Sequence, residues 1–183
     1  MKLSESDMMN SRSQLKKRTP EDGTDREDYL SLLVDEYINS NSFDAKCQVL
    51  ANLANFAYDP INYGYIRNVG VLDIFIHTLK NEKNEKLLHF AVSGICNLCI
   101  DPENVQYILN NEVIKIIATL LKSNHTDTVA DIITIFFYLL NSNAKSSINS
   151  LDIIEDIETL QKSDNKVISN LATILLDEVK KSQ

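Results

Sequence analysis

Residues 53–80 recur without a gap 42 positions later as residues 95–122, with 11 of the 28 aligned pairs identical. Asn55/Asn97, Asp59/Asp101, Pro60/Pro102, Asn62/Asn104, Tyr65/Tyr107, Ile66/Ile108, Val71/Val113 and Leu79/Leu121 are among them. A repeat of this length cannot bury its apolar face alone, so successive copies must stack in a row, each covering the next. A row of this kind offers a long surface rather than a deep pocket, and its expected task is binding other macromolecules.

The repeats read as helices. Only four Gly and three Pro occur in 183 residues, and 44% of the chain is hydrophobic, enough for one sizeable all-α domain once the repeats stack. Asp59-Pro60 and Asp101-Pro102 each place an N-cap oxygen before a proline whose missing N–H costs nothing at the first helical position. These dipeptides predict short helices over 60–68 and 102–110, turning into middle helices over 71–80 and 113–122. Gly70 suits the first of those turns, and Asn110-Asn111 is expected to take the left-handed residue of the second. Longer helices over 84–100 and 126–140 close the two cycles.

Before them, Tyr29, Leu30, Leu33, Val34, Tyr37 and Ile38 mark an amphipathic capping helix, followed by a helix over 44–58. After them the scheme drifts, with short pieces over 148–151 and 153–160 and a last helix over 167–179 whose Asp177, Glu178, Lys180 and Lys181 suit a solvent-facing end. The expected division is a disordered tail over 1–25, a partial repeat over 26–58, repeats over 59–100 and 101–141, and a capping repeat over 142–183. Lys16-Lys17-Arg18 in the tail reads either as a nuclear address or as a solvated cluster.

Charge and chemistry narrow the function. The net charge is −8, and residues 31–183 alone carry twelve basic against nineteen acidic side chains. That balance opposes a sequence-blind grip on nucleic acid and suits a basic protein partner, so any contact with RNA is expected to be indirect. Residues 1–10 are polar and carry no secretory signal, and the longest apolar run, 132–140, is broken by Thr134 and too short for a membrane.

Cys96 and Cys99 match CxxC, but only His89 lies near as a further ligand, so buried thiols are expected rather than a zinc site. His77, His89 and His125 are scattered without a nucleophile, Gly23, Gly64, Gly70 and Gly94 form no phosphate loop, and no cofactor, small-molecule substrate or catalytic residue is expected.

Asn55 and Asn97 are the residues most in need of a role. Each lies near the end of a long apolar helix, where an amide is costly unless it is paired or solvated. They either bond neighbouring backbone or form a ladder for the main chain of an extended partner. Tyr58 and Tyr63, replaced by Ile100 and Val105 in the next repeat, are candidate partner contacts, whereas Tyr65 and its copy Tyr107 are expected to be core. Gln48 and Ser93 complete the set of partner-binding candidates. Gly94, opposite Asn52 in the repeat, is expected to allow a close helix approach.

Leu53-Ala-Asn55-Phe-Ala and Ile95-Cys-Asn97-Leu-Cys, within a cycle of short, middle and long helices, resemble the armadillo repeat family. The resemblance implies an all-α, short right-handed armadillo-type solenoid of three-helix repeats. At Gln48–Tyr63, Val71–Phe75 and Asn97–Asp101 the likeness is closer. It implies a nuclear, non-enzymatic member working with an RNA-recognition-motif protein, of the RNA-binding motif protein 48 kind, in splicing of minor, U12-type introns. An adaptor for transport or cytoskeletal cargo is the alternative. Import receptors of this family carry Trp four residues before the ladder Asn; Ala51 and Ser93 stand there in this chain, which disfavours recognition of nuclear-import cargo.

Overall fold

The computed structural model describes residues 25–140, 142 and 144–181, and among these every regular element is helical. The stretch read as a tail lies outside the described residues apart from Asp25. Helix α1 spans Arg26–Asn39 and α2 Phe43–Ala57. The first full repeat has a 3-10 turn at Pro60–Asn62 leading into α3 (Tyr63–Asn68), then α4 (Val71–Asn81) and α5 (Glu85–Leu98). The second has α6 (Pro102–Asn110), α7 (Ile114–Thr119) continued by a 3-10 turn over Leu120–Lys122, and α8 (Thr126–Leu139). The last has α9 (Lys145–Ile148), α10 (Leu151–Gln161) and α11 (Lys166–Lys181). Its short helix therefore ends at Ile148, where the sequence pattern suggested a start, because Ile148 is the buried residue that closes the turn.

Each long helix begins at a side-chain cap in the same place in its repeat. Ser42 Oγ accepts from the Ala45 amide, Asn84 Oδ1 from Lys86 and Leu87, His125 Nδ1 from Thr128, and Asn165 Oδ1 from Val167 and Ile168. Such caps satisfy amides that a helix leaves orphaned, at about 1 kcal/mol each. Asp59 and Asp101 cap the short helices in the same way.

The long helices pack in order, α2 on α5, α5 on α8 and α8 on α11. Leu50 and Leu53, Val92 and Ile95, Ile132 and Ile135, and Leu175 fill the successive seams with no more than 1% of their surface exposed. Each such side chain contributes about 1.5–3 kcal/mol of transfer free energy, and none has another place to be buried. Gly94 lets the Phe75 ring of α4 lie directly on α5.

The turn after α6 departs from expectation. Asn111 has φ −92°, and the left-handed residue is Glu112 at φ 55°. Glu112 stands 42 positions after Gly70, which has φ 74°, so the backbone kept the repeat geometry although the residue changed.

A second repeated device ties α1 to the turn before α3, and α3 to α6. Arg26 Nη1 donates to Asn62 Oδ1 at 2.6 Å, and 41 residues later Arg67 Nη1 donates to Asn104 Oδ1 at 3.0 Å. Arg67 also reaches Asp101 at 3.1 Å and Glu103 at 3.2 Å.

Candidate functional site

The row of long helices leaves one open face. On α5 and α8 His89 meets Thr128 and Ser93 meets Asp131, so these helices run in the same direction and their stripes lie side by side. The stripe on α2 is Gln48, Asn52, Asn55 and, just beyond its end, Tyr58; that on α5 is Phe90, Ser93, Asn97 and Ile100. On α8 it is Asp131, Thr134 and Tyr138, and on α11 Leu171, Ile174 and Asp177. The three- and four-residue spacings are those of one helical face.

The two ladder asparagines have different jobs. Helix α2 ends by tightening: the Tyr58 amide turns back to Asn55 O at 3.3 Å, which frees the Ala54 carbonyl. Asn97 Nδ2 donates to that carbonyl at 3.0 Å and so closes the end of the neighbouring helix. Asn55 has its side chain exposed, with no such bond among the described residues, and remains free for a partner.

Two of the four tyrosines, Tyr63 and Tyr107, reverse the sequence expectation, whereas Tyr58 is exposed and Tyr65 packs against the core as expected. Tyr63 is only 6% exposed and donates its hydroxyl to Asn97 O at 2.8 Å, so it is part of the seam and not a partner contact. Tyr107 is on the surface, its hydroxyl bonded to Asp73. Tyr58, 78% exposed, and Ile100, 59% exposed, stand free at the ends of α2 and α5. Gln48 is exposed and donates to Asn52 Oδ1 at 3.2 Å. Ser93 is half-buried and faces Asp131, so its hydroxyl serves a neighbouring repeat.

Burial lifts the Asp131 carboxyl to about 6 despite the hydrogen bond from Ser93. Cys96, beside it, is pushed up to about 12 by burial, and the buried Cys99 thiol is raised as well, so neither is a nucleophile at neutral pH. His89 and His125 stack with ring centroids 4.3 Å apart and share the Thr128 hydroxyl. Burial and the neighbouring His125 both lower the pKa of His89. That pairing joins the ends of two helices, with the Asp127 carboxylate acting on His89 in the opposite direction, towards a higher pKa. Among the described residues no cluster of three or more His, Cys, Asp or Glu could hold a metal, and no helix is long and apolar enough to cross a membrane.

A groove of about 180 Å³ between α8 and α11 was not foreseen. Ile133, Thr134, Phe137 and Tyr138 line one side and Leu171 and Ile174 the other.

Stacked repeats of a short, a middle and a long helix, with an open face of long helices, define an armadillo-type solenoid. Armadillo repeat-containing protein 7 of Mus musculus is 48% identical over 152 residues, covering 82% of this chain and 76% of the mouse protein, and the chain belongs to that armadillo repeat family. No protein-family model matches the sequence. Among solved structures, a computationally designed armadillo repeat protein for modular peptide recognition superposes with TM-score 0.71 at 18% identity, over 81% of this chain and 63% of the designed one. A designed armadillo repeat protein in complex with the peptide (KR)4 gives TM-score 0.72 at 18% identity, over 82% and 64%. This chain therefore spans a little under two thirds of those designed proteins, and the likeness fixes the fold.

Proposed function

We propose that the chain is a non-enzymatic scaffold of a nuclear RNA-processing complex, holding an RNA-recognition-motif protein of the RNA-binding motif protein 48 kind in minor, U12-type splicing. The observation that carries the scaffold reading is the open face itself, where Asn55, Tyr58 and Ile100 are left exposed by helices whose other sides are buried. The RNA-processing part rests on the likeness to armadillo repeat-containing protein 7. A net charge of −8 suits a basic partner that itself engages RNA, and a designed neighbour in complex with (KR)4 illustrates that chemistry on this fold.

The test is purification of the tagged chain from its native cells with identification of the proteins and RNAs that accompany it. An RNA-recognition-motif protein with spliceosomal RNA is the expected result. Recovery of trafficking or cytoskeletal proteins alone, with a cytoplasmic distribution of the tagged chain, would replace this reading with an adaptor role.

A further inference from the structure

The groove between α8 and α11 is an apolar cleft on the open face, where Tyr58 and Ile100 on α2 and α5 stand singly. Phe137 is 39% exposed, Tyr138 42% and Ile174 54%, although each sits on a helix with a complete buried side. The Phe137 and Tyr138 rings meet edge to face at 6.3 Å, which holds this wall in one shape. At about 180 Å³ the groove is smaller than a typical small-molecule site and has room for a single large side chain.

Its surroundings are acidic. Asp131 lies one helical turn before Thr134 on α8, and Asp177 one turn after Ile174 on α11. Helix α8 has Asp127 and Asp131 and no Lys or Arg, while the lysines of α11 sit at its ends, Lys166 at one and Lys180 and Lys181 at the other. Among the described residues no ion pair engages Asp131 or Asp177. Asp131 is half-buried as well, so it bears a desolvation cost that the Ser93 hydrogen bond and the nearby His125 offset only in part.

Resting on the scaffold reading above, we propose that this groove is an anchor site for one Leu, Met or Phe side chain of an extended partner segment carrying Lys or Arg on both sides of it. The spacing fits. With Thr134 and Ile174 opposite each other, Asp131 and Asp177 are offset by about 9 Å along the helices and 8–10 Å across them, roughly 13 Å in all. The residues two before and two after an anchor in an extended chain are also about 13 Å apart. A second copy of this chain is a poorer occupant. Six lining residues fall far short of a stable dimer face, and pairing two such grooves brings their carboxylates together. Nucleic acid is disfavoured by the same charges.

The test uses the full chain and two fluorescent peptides, Lys-Arg-Lys-Leu-Lys-Arg-Lys and the same sequence with Ser at the centre, in fluorescence anisotropy. The Leu peptide should bind roughly tenfold tighter than the Ser peptide, and Ile174→Ser should erase that advantage. Asp131→Asn should weaken both peptides and flatten their salt dependence. Ile174 is exposed, so its Ser variant retains the fold, and the Asp131 variant provides an independent reading on the acidic side. Equal affinity for the two peptides, or a Leu advantage that survives both Ile174→Ser and Phe137→Ala, overturns the proposal. So does a concentration-dependent dimer that Ile174→Ser dissolves. If the cellular partner is still captured by the Ile174→Ser chain, the anchor is elsewhere and the scaffold reading stands; if the wild-type chain captures no partner, the scaffold reading falls whatever the peptides do.

Discussion

Gly94→Ala tests the packing that orients the open face. A Cβ at Gly94 would lie 2.3 Å from Phe75 Cζ, 2.5 Å from Cε2 and 2.7 Å from Cε1. Carbon atoms in contact sit about 3.5–4.0 Å apart, so α4 and α5 would have to separate by more than about 1 Å. Phe75 has no exposed surface and cannot swing aside. Overpacking of this kind costs about 1–3 kcal/mol, against about 0.5–1 kcal/mol gained by replacing Gly with Ala inside a helix. With three ring atoms inside 3 Å the cost falls in the upper half of its range, about 2–3 kcal/mol, so the net expectation is a loss of about 1–2.5 kcal/mol, read as a lower urea midpoint by far-UV circular dichroism. In a Phe75→Leu background the sign should reverse, because Leu ends short of the clashing ring atoms and only the helix-propensity gain remains. A loss of the same size in both backgrounds would show that the ring contact is not the cause and refute the reasoning.

Three further outcomes follow from individual residues. Glu112→Gly removes a left-handed strain and should stabilise by about 0.5–1 kcal/mol, raising Tm by about 1–4 °C in a thermal melt. Asn97→Ala should cost about 1–2 kcal/mol in urea unfolding because it leaves the Ala54 carbonyl unpaired, while Asn55→Ala stays within about 0.5 kcal/mol and shows its effect only in partner binding. Asp131→Asn should stabilise by about 1–2 kcal/mol at neutral pH, since its carboxyl, raised to about 6 mainly by burial, holds a proton more tightly folded than unfolded, and solvent at its exposed side screens part of the effect. That group's contribution is most favourable below about pH 4 and is lost as the pH rises through about 6, so the advantage of the variant in paired melts should shrink steadily as the pH is lowered across that window.

The stacking order was legible because cap chemistry repeats where side-chain identity does not: Asp59-Pro60 and Asp101-Pro102 start helices whatever follows them. Glu112 was misjudged because turn propensity pointed to Asn111, whereas the alignment with Gly70 had already marked the strained position. Tyr63 and Tyr107 changed places for a different reason: the Tyr63 hydroxyl is fixed by a carbonyl 34 residues away, a contact that no local pattern carries. Arg26 and Arg67 escape a 42-residue comparison because they are 41 apart and Arg26 precedes the aligned stretch. His89 and His125 occupy different places in their repeats and meet only because adjacent helices pack side by side. The α8 and α11 groove is hidden by the drift of the sequence beyond residue 122, where the ladder position on α8 has become Tyr138.

The division of labour between Asn55 and Asn97 bears on where binding energy resides. A hydrogen bond exchanged with water nets about 0.5–1.5 kcal/mol, and with Asn97 spent on Ala54 only Asn55 remains to offer one from the ladder. Association itself costs at least about 4 kcal/mol in lost freedom of the two molecules. A ladder of one amide cannot offset that, so apolar anchors must carry the affinity and the amide can only set direction. Tyr58, Ile100, Tyr138 and Ile174 give one exposed apolar side chain on each long-helix stripe. At about 1.5–3 kcal/mol for each anchor fully buried by a partner, two of them supply about 3–6 kcal/mol, on either side of the minimum, and four supply about 6–12 kcal/mol, above it. Truncating any one of the four should therefore weaken partner binding more than Asn55→Ala does; the opposite order would restore the asparagine ladder as the principal contact.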